Sequence, residues 1–67
     1  MKYYSLRTYS EKLGTRQTGF YVAPDDAVAT AIANLILRNL ENVDNVIRES
    51  LWRIDDETTG EETELTI

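Results

Sequence analysis

Between Asp25 and Leu40 apolar residues recur too densely for a helix that packs on one side only. At 100° per residue, Val28, Ala29, Ala31, Ile32, Ala33, Leu35, Ile36, Leu37 and Leu40 spread over about two-thirds of the wheel. Thr30, Asn34 and Arg38 crowd into the rest, and Asn39 alone interrupts the apolar side. A helix lying on a small sheet needs an apolar stripe of only about 100° or a little more. The spacing therefore predicts a helix with two packing surfaces. Val28, Ile32, Leu35 and Ile36 are expected against the chain's own sheet. Ala29, Ala33 and Leu37, with Leu40, are expected to meet a second copy or another protein, small residues permitting close approach. Pro24 cannot continue a sheet ladder, and Asp25 and Asp26 suit the cap and first turn, so the helix starts there.

The flanking segments read as strands. In Lys2–Ser10, Tyr4, Leu6 and Thr8 alternate with Tyr3, Ser5, Arg7 and Tyr9, the period of a strand. Residues 11–18 read as a loop, and Gly19–Ala23 as the returning strand of a hairpin. The stretch 43–54 fits two patterns. Val43, Val46, Ile47, Ser50, Leu51 and Ile54 have helical spacing, while Val46, Arg48, Ser50, Trp52 and Ile54 fit one strand face, with Ile47, Glu49, Leu51 and Arg53 on the other. The turn-like cluster Asp55–Gly60 and the strand-like Glu62–Ile67 favour strand, because a lone two-stranded hairpin is rarely stable. The expected fold is thus α+β, a single domain over residues 1–67 of ββαββ type, with one helix on one face of a four-stranded antiparallel sheet. The alternative is ββαα with a loose tail. Tyr4, Leu6, Phe20 and Val22 are expected beneath the helix, and Tyr3, Arg7, Tyr9 and Tyr21 on the uncovered face.

Composition narrows the chemistry. A 67-residue chain buries only about 60% of the surface its unfolded form exposes, so it usually needs a disulfide, a metal or a partner. There is no Cys and no His, which removes disulfides, thiolate zinc sites, Cys nucleophiles and the commonest general base. No cofactor or metal is expected. Ser5, Ser10 and Ser50 have no His to activate them, Lys2 and Lys12 read as surface residues, and Gly14, Gly19 and Gly60 make no phosphate-binding motif. No enzymatic activity is expected. At 42% hydrophobic residues the chain is too apolar to be disordered, its longest apolar run in the helix is far short of a membrane span, and its N-terminus lacks a signal-peptide core. The expected location is the cytoplasm.

Charge is segregated along the chain. The net charge is −5, yet residues 1–24 carry +3 and residues 55–67 carry −6. The acidic segment, with Glu57, Glu61, Glu62 and Glu64 beside Asp55 and Asp56, can be a solvated, edge-protecting hairpin. It can pair with the basic hairpin, or it can imitate nucleic-acid phosphates before a basic protein groove. It lacks the order of a calcium loop. Tyr3, Arg7, Tyr9 and Tyr21 form the kind of set that stacks on bases, but the acidic balance makes nucleic acid an unlikely partner. As protein-contact residues they are equally apt, and Trp52, the only Trp, is a further anchor. The expected function is that of a small acidic protein-binding module, itself expected to be a homodimer, an accessory or inhibitory factor of the phage or mobile-element type docking on a larger complex. The alternatives are a homo-oligomer assembled through the helix and a weak single-strand binder using the Tyr and Arg face.

Overall fold

Five elements follow one another in the order the alternation predicts: β1 (Lys2–Ser10), β2 (Thr15–Ala23), α1 (Asp26–Asp44), β3 (Val46–Asp56) and β4 (Glu61–Leu65). The computed structural model describes residues 1–66, with side chains described outside 41–44. Ile67, expected at the end of the last strand, and the side chain of Val43, on which the helical alternative drew, lie outside the described residues. The four strands make one antiparallel sheet in the order β2-β1-β3-β4, with α1 on one face. Among the described residues no helix is long and apolar enough to cross a membrane.

Both hairpins close with the same four-residue turn. Gly14 and Gly60 have φ of 68° and 78°, a left-handed conformation that Gly adopts without steric cost, and each donates its N–H to the carbonyl four residues back, Ser10 and Asp56. The Ser10 hydroxyl accepts from Leu13 N–H, and the Asp56 carboxylate from Thr58 and Thr59. The turn therefore lies at 11–14, and β2 starts at Thr15 rather than Gly19. This register sets Gly19 opposite Leu6 and Tyr21 opposite Tyr4, so Gly19, Tyr21 and Ala23 share the helix side. Phe20, expected in the core, is 70% exposed on the other side, and Val22 is exposed with it.

The helix begins as its sequence indicates. The Asp25 side chain accepts from Val28 N–H at 2.9 Å, satisfying one of the unpaired first-turn donors. It continues to Asp44, four residues past the expected end, and stops at Asn45, whose φ and ψ of 51° lie in the left-handed region Asn tolerates.

Its faces are the reverse of those expected. Ala29, Ala33 and Leu37 are buried against the sheet, with Ile32 and Leu40 partly so, whereas Val28, Leu35 and Ile36 are exposed. The reason is volume. The sheet itself supplies the bulk, in Tyr4, Leu6, Val46 and Leu51, so the helix fits best by offering methyl groups and approaching closely. Tyr4 and Tyr21 stack beneath it with ring centroids 5.8 Å apart, and the Tyr21 hydroxyl donates to the Ala29 carbonyl at 2.7 Å. Burial raises the Tyr21 pKa. Burial also pushes the Tyr4 phenol up to about 12, reinforced by the hydrogen bond it donates to Asp26.

A polar chain ties the helix to three strands. Tyr4 OH donates to Asp26 at 2.8 Å, Arg53 donates to Asp26 at 2.6 Å and to Asp55 at 2.7 Å, and Thr63 donates to Asp55. The Thr63 hydroxyl, followed by the Arg53 guanidinium, holds the Asp55 carboxyl below its ordinary value. On the same helix flank Asn34 accepts from Arg48 at 3.2 Å. These ties draw α1 toward β3, leaving the first half of β2, residues 15–20, uncovered.

In its pairing with β1, β3 departs from strict alternation once. Arg7 pairs with Ser50 and Thr8 with Arg48, so Glu49 is an extra residue in a bulge. It places Val46 and Leu51 on the same buried side although four residues lie between them, an odd spacing that strict alternation would put on opposite faces. Ile47, Ser50, Trp52 and Ile54 fall on the opposite face.

Candidate interaction surface

Among the described residues nothing is layered over the sheet face away from the helix. β1 contributes Tyr3, Ser5, Arg7 and Tyr9, β2 contributes Arg16, Thr18, Phe20 and Val22, β3 contributes Ile47, Ser50, Trp52 and Ile54, and β4 contributes Glu62 and Glu64. Tyr3, Phe20, Val22 and Ile47 are exposed, and Trp52 and Ile54 are half-buried. Isolated exposed hydrophobes are ordinary, but a contiguous set on one face marks a contact surface.

Pairing register builds a groove in this face. Ser5 is the small residue at the middle, with Phe20 directly across on β2 and Trp52 directly across on β3. The groove has a volume of about 470 Å³, with Phe20 and Ile54 as apolar walls, Arg7 and Glu62 beside them, and the β3–β4 turn closing one side through Glu57 and Gly60. Ser5 is 1% exposed, and its Oγ has no hydrogen-bond partner among the described residues.

Arg7 is held in place from two sides. Its guanidinium lies 4.9 Å from the Trp52 ring centroid and donates to Glu62 at 3.2 Å. Trp52 in turn donates its indole N–H to Ser50 Oγ at 2.7 Å. Arg16 pairs with Glu49 at 2.9 Å, and that contact raises its pKa. The two cations on this face are thus engaged by carboxylates, and Glu62 and Glu64 stand on the same face, an arrangement that repels phosphate.

Of the residues singled out in the sequence, Tyr3, Arg7, Tyr9, Trp52, Glu62 and Glu64 come together on the open face. Glu57 joins them at the groove mouth, and Glu61 pairs with Asp56 beside the bulge that Asp55 makes in β3. Tyr21 does not join them, because its register places it under the helix. Ala29, Ala33 and Leu37 are core residues with no surface to offer a partner. Of the six acids at 55–64, Asp55, Asp56 and Glu62 are engaged by Arg53 and Thr63, by the turn amides and by Arg7. Phe20, Val22, Ile47, Ile54 and Ser5 escaped sequence reasoning. The signal for the first two was Gly14, which as the turn's last residue puts Thr15 opposite Ser10 and hence Phe20 opposite Ser5. Among the described residues no three His, Cys, Asp or Glu side chains cluster to hold a metal ion. No protein-family model, curated protein or solved structure matches this chain.

Proposed function

We propose that this chain is a small non-enzymatic protein-binding module, an accessory or inhibitory factor that docks on a larger protein assembly through the open face of its sheet. The observation that carries this reading is the uncovered groove between Phe20 and Ile54 on the exposed apolar face of the sheet. Trp, Tyr and Arg are the residues that most often dominate binding energy at protein interfaces, and Tyr3, Arg7 and Trp52 flank this groove. Trp52 and Arg7 are already ordered by their mutual contact and by Ser50 and Glu62, which lowers the entropy lost on binding. Glu57, Glu62 and Glu64 at the rim, with a net charge of −5, favour a partner segment that offers an apolar or aromatic side chain flanked by basic residues. A chain without Cys needs no oxidising compartment to fold, which suits the cytoplasm.

Selection from a random peptide display library tests the reading. Enrichment of aromatic-basic sequences by the wild-type protein, lost in a folded Phe20→Ala variant, is the expected result. Failure to enrich any peptide class, or equal enrichment by the variant, refutes it. Selected peptides that bind equally well after Glu57, Glu62 and Glu64 are changed to Gln leave the groove without its charge preference.

A further inference from the structure

The two edges of the sheet are finished differently. β4 is five residues long, carries Glu61, Glu62 and Glu64, and meets β3 through a bulge, all of which discourage a further strand from adding. β2 has none of these guards. It runs nine residues in unbroken register with β1, holds no Pro and one charge, Arg16, and is exposed throughout residues 15–20. The Glu11 N–H bonds to the Asn45 carbonyl, which makes Ser10 and Val46 a non-hydrogen-bonded pair and turns the Ser10 backbone toward Thr15. The alternation then leaves the N–H and C=O groups of Arg16, Thr18, Phe20 and Val22 pointing away from the sheet.

The helix leaves room above this edge. Its polar flank, with Asp26 and Asn34, is tied to β3, so its apolar flank, Val28, Ile32, Leu35 and Ile36, faces the β2 side. Leu35 is 61% exposed, and an apolar groove of about 190 Å³ opens between Ile36, Leu40 and β2. Gly19 lies on the floor of that groove, and a methyl group added there would touch nothing within 4 Å. The chain's own packing gives no reason for Gly at this position, whereas the close approach of another backbone does.

We propose that the chain forms a two-fold dimer by antiparallel pairing of β2 with β2 of a second copy, with the apolar flanks of α1 facing each other across the joint. Two-fold pairing satisfies the outward backbone groups of both copies and turns each Val28–Leu35–Ile36 flank toward its own image above the paired strands, so one edge supplies both halves of the interface. Arg16 lies near one end of β2 and Asp25 just beyond the other. Antiparallel pairing therefore keeps the two arginines at opposite ends of the joint, each on the Glu49 of its own copy. The acids of residues 55–64 stand at the opposite edge, so the copies meet by their less acidic sides. The contact runs about 30 Å along the strand through the depth of sheet and helix. Its projected footprint, roughly 500 Å², is of the order of the ~800 Å² of accessible surface per partner typical of stable complexes.

Sedimentation equilibrium of the full chain from 5 to 500 µM, with amide hydrogen exchange at both ends of the range, tests the proposal. The expected mass at the upper end is about twice the 7.7 kDa of one chain, with Thr18, Phe20 and Val22 amides slowed at least tenfold relative to 5 µM. Thr18→Pro removes one outward N–H at an edge position where Pro is tolerated, and Leu35→Lys charges the flank without touching the backbone. Each is expected to return the monomer mass with an unchanged circular dichroism spectrum. A 7.7 kDa species at 500 µM overturns the proposal, as does a dimer whose Thr18 and Phe20 amides exchange as fast as in dilute solution or one that survives Leu35→Lys.

Discussion

Replacing Asp26 with Ala removes the residue that holds α1 over β1 and β3, and its effect can be worked out piece by piece. The Tyr4 hydroxyl, in a fully buried side chain, loses its acceptor, a penalty of about 1–3 kcal/mol. The first helical turn loses its acid, worth about 0.3–1 kcal/mol against the helix dipole. The half-exposed ion pair with Arg53 adds about 0–1 kcal/mol. Together these predict a destabilisation of roughly 2–4 kcal/mol, a large share of the total for a marginally stable domain, and a fall in Tm of roughly 10–25 °C. Tyr4→Phe removes donor and acceptor need together and is expected to lose only about 1 kcal/mol. In that background Asp26→Ala should lose roughly 1–2 kcal/mol, because no hydroxyl is left stranded, giving a coupling of about 1–2 kcal/mol. Urea unfolding followed by the fluorescence of Trp52, the single Trp, measures all four corners of the cycle. A coupling below about 0.3 kcal/mol, or an Asp26→Ala variant more stable than Tyr4→Phe, refutes the anchoring argument.

Three further outcomes are expected. Leu37→Glu buries an unpaired carboxylate at a core position and should unfold the chain, seen as loss of the circular dichroism signal at micromolar concentration; a folded variant would return Leu37 to the surface. The Asp55 carboxyl is held below its ordinary value by Thr63 and Arg53, so its contribution to stability is present above the unfolded value of about 3.9 and is lost as pH falls through the folded one. Asp55→Asn should flatten the acid limb of the stability curve below about pH 4. Tyr4, with its pKa raised to about 12, stabilises the fold fully below about pH 10 and loses that contribution between there and pH 12. Ultraviolet titration should show a last phenolate step, near pH 12, that Tyr4→Phe removes.

The order of elements and the faces of β1 were legible because both hairpins and the helix start obey local rules: a positive-φ Gly at each turn, Asp25 as cap, and clean alternation from Tyr3 to Tyr9. What misled was the assumption that large apolar residues pair with large ones. Phe20 and Val22 outrank Gly19, Tyr21 and Ala23 in hydrophobicity, yet register is set by the turn, and the turn ends at Gly14. Once Tyr21 falls beneath the helix with its hydroxyl on the Ala29 carbonyl, the space left suits alanines and excludes Leu35. The bulge at Glu49 is a tertiary accommodation with no local signal, and it alone decides that Val46 and Leu51 share a side. Ser5 could not be singled out as a site, since only the pairing of three strands reveals that two aromatics flank it.

Geometry explains why surplus apolar surface survives in this fold whichever helix face packs inward. A helix about 10 Å across can cover only two strands of a sheet whose strands lie about 4.8 Å apart. With α1 tied to β3 by Arg53 and Arg48, the margins at β2 and β4 must each meet water or another surface. At β4 the chain places Glu61, Glu62, Thr63 and Glu64, which water solvates. At β2 it places Gly19 on the helix side below Ile36, and Phe20 and Val22 exposed on the other face. A 67-residue chain without Cys has no disulfide to compensate an apolar margin of this length. The two margins bear the same geometric constraint and opposite chemistries, and the difference is accounted for if β2 is covered in solution while β4 is not. The open sheet face then runs unbroken across both copies, placing two Ser5 grooves on one surface and an acidic strand at each end of it.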